Sequence, residues 1–362
     1  MNDSRRQLKD VPLDELRQRF VRDGIAAYHA EQVAAWLYAR GVEDVEEMTD
    51  LSRELRERLS AEWRTRALDT VSVERSCDGT RKLALAADDG AILEAVVIPE
   101  EARITLCVST QVGCPLACSF CATGALGFTR NLTTAEIVDQ VCRARETLEP
   151  DEQITNVVFM GMGEPLLNLP AVSAAIRILT DPKAFRMAPR RLTVSTAGLV
   201  PRIRDLLEVA PVNLAVSLHA TTDEVRDELV PLNRRFPLSV LLAALREEPL
   251  VNARRPVFFE YTLIAGVNDS VEDARQLPAL LRGIPAKLNV IPMNSHVDSA
   301  YRAPERAVVD RFTALVHEGG LRVTLRRNRG SDIDAACGQL AARGREGRPA
   351  EPLALGETVR SP

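Results

Sequence analysis

The sequence has no apolar run near the roughly eighteen residues that a membrane-spanning helix needs, and no apolar stretch follows its charged start, MNDSRRQLKD. The expectation is a cytoplasmic protein with neither a membrane span nor a secretory signal. Gly and Pro, 19 and 21 of 362 residues, are too few for a collagen-like or largely disordered chain. A basic excess is missing too. With 46 Lys and Arg against 51 Asp and Glu the net charge is -5, which argues against a broadly basic nucleic-acid binder and leaves room only for local basic patches. Seven cysteines make an odd count in a chain without an export signal, which disfavours a disulfide framework and favours metal or redox chemistry.

What is present falls into blocks. Residues 1–69 carry three amphipathic stretches, VPLDELRQRFV, HAEQVAAWLYAR and LSRELRERLSAEW, and predict a small helical module. Residues 70–102 change to short strand-like runs separated by Asp78-Gly79 and Asp89-Gly90, and predict an antiparallel connector. From 103 to 342 strands alternate with helices: RITLCVS, TNVVFMGM, RLTVSTAG, NLAVSLHA, VFFEYTLIAG, KLNVIPMN and LRVTLRR are the strands. That alternation predicts an α/β fold with parallel strands and right-handed crossovers, and a partial (β/α) barrel of TIM type fits best, because polar and Gly-rich residues collect just after the strands. The tail, 343–362, has no period and reads as mobile.

Chemistry concentrates in Cys114-Pro-Leu-Ala-Cys118-Ser-Phe-Cys121, three thiols on a loop after the first parallel strand. A structural zinc site wants a fourth ligand, which only a remote residue such as Cys107 could supply; three thiolates on a [4Fe–4S] cluster leave one iron open to a small molecule. Gly161-Met162-Gly163-Glu164-Pro165 ends the second parallel strand. Its glycines allow close approach of backbone to a ligand and its carboxylate can accept from an ammonium group, although without the cysteines it reads as a tight turn before it reads as a site.

The spacing C-x3-C-x2-C after the first barrel strand resembles the signature of radical S-adenosylmethionine (SAM) enzymes. GCPLACSFCATGALGFTRNLTTAEIVDQV, VVFMGMGEPLLN, LTVSTAGL, LAVSLHA and RGSDIDAACGQL together resemble the RlmN/Cfr family of RNA adenine methyltransferases, from the helical start to about residue 342. The resemblance implies that Cys114, Cys118 and Cys121 hold a [4Fe-4S] cluster. It implies that Gly163, Glu164, Ser195, Ser217, Leu218, His219 and Asn294 contact S-adenosyl-L-methionine. On the same resemblance, one SAM is expected to methylate Cys337 and a second to be cleaved to a radical that abstracts hydrogen from that methyl group, the resulting carbon radical adding to the base. The resemblance further implies that Cys107 resolves the crosslink by forming a transient disulfide with Cys337 and that Glu94 accepts the ring proton. Apart from the resemblance, Glu94 reads as a charged residue on the wet face of a strand and Cys337 as a buried structural cysteine. Cys77 and Cys142 match no family role and read as structural.

The implied activity is methylation of C2 of an adenosine in 23S rRNA, with tRNA as a second substrate class, and the Arg327–Ile333 segment resembles the RlmN form rather than the C8-methylating Cfr form. The implied partners are RNA and an electron donor such as flavodoxin or ferredoxin, for a monomeric enzyme. Arginines at 322, 326, 327, 329, 343, 345 and 348 surround Cys337 in sequence, with smaller groups at 186, 190 and 191, at 234 and 235, and at 254 and 255; these suit phosphate contacts. One departure stands out. Pro292–Asp298 lacks the Pro-Gly-rich loop usual after the family's asparagine, which leaves open a diverged paralogue with another RNA target.

Overall fold

The structure, a computed structural model, describes residues 5–295 and 299–341; the tail, Arg343, Arg345 and Arg348, and His296–Asp298 of the departing loop lie outside the described residues. Three antiparallel strands, β1 (Leu68–Arg75), β2 (Arg81–Ala87) and β3 (Ile92–Glu100), turn at Gly79 and Gly90, both at positive φ. β3 then pairs antiparallel with β4 (Arg103–Cys107). Six further strands follow in spatial and chain order: β5 (Ile154–Phe159), β6 (Leu192–Thr196), β7 (Asn213–Ser217), β8 (Val257–Leu263), β9 (Ala286–Pro292) and β10 (Val323–Leu325). All seven expected barrel strands form, and β4 to β10 run parallel. The antiparallel strands are therefore the continuation of one ten-stranded sheet.

Helices fill the crossovers: α4 (Thr134–Arg145), α5 (Leu169–Thr180), α6 (Ile203–Val209), α7 (Asp223–Leu229), α8 (Leu238–Glu247), α9 (Val271–Leu280) and α10 (Arg306–Glu318). Strand register explains the layering. Leu106, Val157, Val194, Leu214, Val216, Phe259 and Leu288 share one face and are buried. The opposite face carries Cys107, Ser195, Ser217, Glu260 and Asn289, so these polar side chains share one side of the sheet. Among the described residues β10 does not pair with β1, and the sheet stays open. The chain after β10 crosses that gap instead: Ser76 Oγ donates to Asp332 (2.6 Å), as does the Cys77 N–H (3.2 Å), and the Gly330 N–H donates to Asp78 (3.1 Å).

The N-terminal stretches form α1 (Leu13–Arg22), α2 (Tyr28–Ala34, continued by a wider turn to Arg40) and α3 (Arg53–Glu62). They dock on α4 through buried charge. The Lys9 ammonium, fully buried, pairs with Glu43 and Asp139; Arg143 pairs with the same two carboxylates; and the other Asp139 oxygen accepts from the N–H groups of Ala67 and Leu68 at 2.8 Å. Burial opposes the Asp139 charge, yet Lys9 and Arg143 hold its carboxyl below the ordinary value. Glu43 and Asp139 also lie close to the Cys142 thiol, a grouping with metal-ligand character, but the two cations already neutralise it. Cys142 is buried there, as a structural cysteine should be, whereas Cys77 is exposed on the β1–β2 turn. Replacing Lys9 by Met leaves Asp139 with one cation fewer in a dry setting, and should cost about 3–5 kcal/mol in urea unfolding; a loss within experimental error would show the network to be dispensable.

Candidate active site

The loop that carries the three cysteines leaves β4 through a short hairpin, Gln111–Gly113 against Phe128–Asn131. Only glycine fits at 113: φ is +75°, and a Cβ there would lie 1.9 Å from the Gly127 carbonyl oxygen. The Cys114 N–H donates to that same oxygen (2.7 Å), Ala117 turns through φ +51°, and the Cys121 N–H donates to the Cys118 carbonyl (3.1 Å). Burial pushes the Cys114 thiol up to about 12 and the Cys118 thiol well above its ordinary value, so both need a cation before they ionise. Cys118 lies within electrostatic reach of both Cys114 and Cys121, so the three thiols of the loop face one another. A structural zinc site would want a fourth ligand, whereas three thiolates suffice for a polynuclear cluster with one open iron.

Around this loop stand the ends of the strands. Glu164, after β5, is buried; its two carboxylate oxygens accept from the N–H groups of Ala197 (2.8 Å) and Leu166 (3.1 Å). Burial outweighs these bonds and raises its pKa to about 7. The neighbouring glycines answer first to the fold: a Cβ on Gly161 would meet the Val108 carbonyl at 2.8 Å, and one on Gly163 would meet Gln111 Cβ at 2.5 Å. They let β5 approach the chain leaving β4, whatever ligand binds. Ser195 and Ser217 lie on the same sheet face, and Leu218 is buried at the end of β7. His219, at φ +58°, accepts at Nδ1 from the Thr262 N–H (3.0 Å), which places its proton on Nε2. Burial, with Arg226 nearby, lowers its pKa to about 3, and its neutral ring packs edge-on against Phe120, between Cys118 and Cys121. Asn294 donates to the Cys337 carbonyl (3.3 Å), while its own buried Oδ1 has no partner.

The C-terminal segment completes the arrangement. The Ala122 N–H donates to the Gly338 carbonyl (2.7 Å) and Thr123 Oγ1 to the Leu340 carbonyl (2.6 Å), binding it to the cysteine loop. Cys337, more than two hundred residues from Cys107 in sequence, comes within electrostatic reach of Cys107, Cys121 and Glu260. Its side chain is exposed to solvent, and desolvation by the surrounding protein, followed by Glu260, raises its pKa. Cys107 is buried and raised further. Glu94 is not on a wet face: it is buried on β3, Oε2 accepts from the Ala341 N–H (3.0 Å), and burial raises its pKa against the pull of Lys82.

Two family descriptions match the chain: Radical SAM superfamily over residues 108–277 and Ribosomal RNA large subunit methyltransferase N-terminal domain over residues 6–64. Dual-specificity RNA methyltransferase RlmN of Geobacter sulfurreducens is 48% identical over 333 residues, which cover 92% of this chain and 91% of the relative. The chain belongs to the RlmN family of radical SAM methyltransferases. The RlmN of Anaeromyxobacter dehalogenans is 46% identical over 355 residues, covering 96% and 95% of the two chains. The crystal structure of a radical SAM methyltransferase from Sphaerobacter thermophilus matches with a TM-score of 0.86 and 42% identity, over 93% of this chain and 99% of that one.

The site fits the cofactors of an RlmN-family protein on its own chemistry: three neighbouring thiols on one loop, a buried acceptor without a partner at Asn294 Oδ1, and a buried carboxylate at Glu164. Two organising residues were not singled out from the sequence. Arg226 of α7 is buried and donates to the carbonyls of Ala197 (2.7 Å), Ser217 (2.8 Å) and Leu218 (3.0 Å), tying the ends of β6 and β7 beneath the cysteine loop. Asn268 donates to the carbonyls of His219 and Thr262, both at 2.7 Å. In sequence both are ordinary polar residues in polar stretches. The arginine groups divide: Arg326 reaches Glu260 and Cys337, whereas Arg322 lines a cavity with Arg254 and Arg282 where the chain enters β8 to β10. Among the described residues no helix is long and apolar enough to cross a membrane.

A raised carboxyl pKa makes the folded state favour the proton, so the contribution of Glu164 to stability is full below its ordinary value of 4.5 and is lost as pH rises through about 7. In the ligand-free protein, raising pH from 4 to 8 should shift the stability difference between wild type and Glu164→Gln in favour of the variant by on the order of 3 kcal/mol. Denaturant unfolding at both pH values measures it, and a pH-independent difference contradicts the assignment.

Proposed function

We propose that this protein methylates C2 of an adenosine in 23S rRNA, with tRNA as a second substrate, through a methylated Cys337. The observation that carries the reading is the convergence of Cys107, Cys337 and Glu94 beside the cysteine loop. Two separate structural cysteines would have no reason to meet there. Cys114, Cys118 and Cys121 would hold a [4Fe–4S] cluster, and Gly163, Glu164, Ser195, Ser217, Leu218, His219 and Asn294 would hold SAM. Bound there, these groups supply a methyl group and a hydrogen-abstracting radical, one SAM for each role in a turnover.

The protein's own residues do the rest. Neutral His219 offers a donor at Nε2 and Glu164 an acceptor for an ammonium group, whose positive charge would favour the carboxylate form, and Asn294 Oδ1 offers a second acceptor. Cys337 carries the methyl carbon to the base from a segment held on the cysteine loop by backbone bonds. Glu94 takes the ring proton, its electron pair staying in the base, and the one surplus electron that radical addition leaves in the adduct would pass to a one-electron acceptor, a role that the cluster held by Cys114, Cys118 and Cys121 would supply. The Cys107 sulfur then attacks the Cys337 sulfur: the S–S bond forms, the S–C bond breaks, and the carbon keeps that electron pair and takes a proton to become methyl. Regenerating the two thiols requires a thiol reductant. A flavodoxin- or ferredoxin-type electron donor and a monomeric state belong to the same reading.

Nucleosides from ribosomal and transfer RNA of a host lacking its own such enzyme test the proposal: 2-methyladenosine should appear on expression, whereas 8-methyladenosine would assign the Cfr-type reaction, and no new product would refute both. Cys107→Ala should accumulate a covalent protein–RNA species, visible as a nuclease-sensitive mass increase; normal turnover by that variant would remove the resolving role. Cys337→Ala should keep the iron content of wild type and lose methylation.

A further inference from the structure

Strand register lines up Glu74 of β1, Lys82 of β2, Val96 of β3 and Cys107 of β4 in one row across the sheet. Glu94 lies two residues before Val96, on the same face. Lys82 and Glu94 are both buried, and the Lys82 ammonium lies 3.3 Å from Glu74 Oε1 and 3.8 Å from Glu94 Oε1. The second distance exceeds hydrogen-bond length. Lys82 therefore acts on Glu94 through charge and leaves Oε1 with its lone pairs free, while Oε2 is engaged by the Ala341 N–H (3.0 Å).

We propose that Lys82 is a positioning residue for the methyl-transfer reaction: it keeps Glu94 ionised in a dry site and makes Oε1 the oxygen that receives the proton. The proposal rests on the reading of Glu94 as the base. Burial is the largest influence on Glu94 and favours the protonated acid, which cannot accept a proton; Glu74 on β1 and Asp334 in the C-terminal segment push in the same direction. Lys82 of β2 is the cation that opposes all three, and the Ala341 N–H adds to its effect. When the ring C–H bond breaks, its electron pair stays in the base and the proton passes to Oε1, so a carboxylate must be present beforehand. Sharing Lys82 with Glu74 limits the pull, which leaves Glu94 basic enough to take the proton.

The test is a titration of the full-length holoprotein labelled with 13C at the glutamate carboxyls, with the Glu94 resonance identified by its loss in Glu94→Gln. Lys82→Met should raise the Glu94 midpoint by about one pH unit or more, Lys82→Arg should hold it near wild type, and the acid limb of the single-turnover pH profile should move with the midpoint. An unchanged midpoint in Lys82→Met overturns the proposal. If that variant does not fold, Glu74→Gln decides, because Glu74 is half exposed and its loss leaves Lys82 to Glu94: a lowered midpoint supports the role and an unchanged one overturns it. Turnover by Glu94→Gln is read separately. A wild-type rate there would remove Glu94 as the base and with it the catalytic purpose of Lys82, while a shifted titration would still establish the charge coupling.

Discussion

The structure depends on how an open sheet is closed. A parallel sheet that begins at β4 and ends at β10 leaves unpaired edges and an uncovered polar face, and here the first edge is extended by three antiparallel strands while the other is bridged by the chain after β10. That bridge is held by side chain and backbone, not by a strand ladder: Ser76, Cys77 and Asp78 at one end, Ala122 and Thr123 at the other. Because both ends are fixed, Cys337 is carried to the neighbourhood of Cys107 and Cys121. The same bonds bring Ala341 to Glu94. Loss of the bridge would separate Cys337 from Cys107, Cys121 and Glu260.

Burial is the second theme, and it sets titration states in opposite directions within one site. It raises Glu164 and Glu94, keeps His219 neutral, and holds Cys107 and Cys337 as thiols. Three of these groups are then corrected by a specific neighbour, backbone N–H groups for Glu164, Lys82 for Glu94 and the Met160 N–H for Cys107, whereas Arg226 adds to the effect of burial on His219. Arg226 shows the structural side of the same physics, since a buried guanidinium satisfied by three carbonyls and Asn233 fixes two strand ends at once. A change in any of these neighbours alters the chemistry without touching a cofactor.

The departing loop after Asn294 lies in this same region. Ser295 donates to the Tyr301 carbonyl (3.0 Å) and accepts at its own carbonyl from Gln339 (2.8 Å), and the Tyr301 hydroxyl meets Ser119 of the cysteine loop at 3.1 Å. Its described flanks thus contact both the Cys337 segment and the cysteine loop.

Strand and helix alternation from residue 103, the cysteine spacing and the amphipathic start were legible from the sequence alone, because periodicity and short-range spacing are local properties. The seven parallel strands and the three antiparallel ones followed from them. Position along the chain could not say that Glu94 is buried, since an alternating strand looks the same whichever face is covered, nor that the antiparallel strands extend the barrel sheet. Gly163 read as a ligand contact, and the fold adds that Gln111 leaves no room for a Cβ there. Arg226 and Lys82 carry no local signal at all. Their roles arise from a low-dielectric setting and from partners on other strands, and only the tertiary structure assembles those.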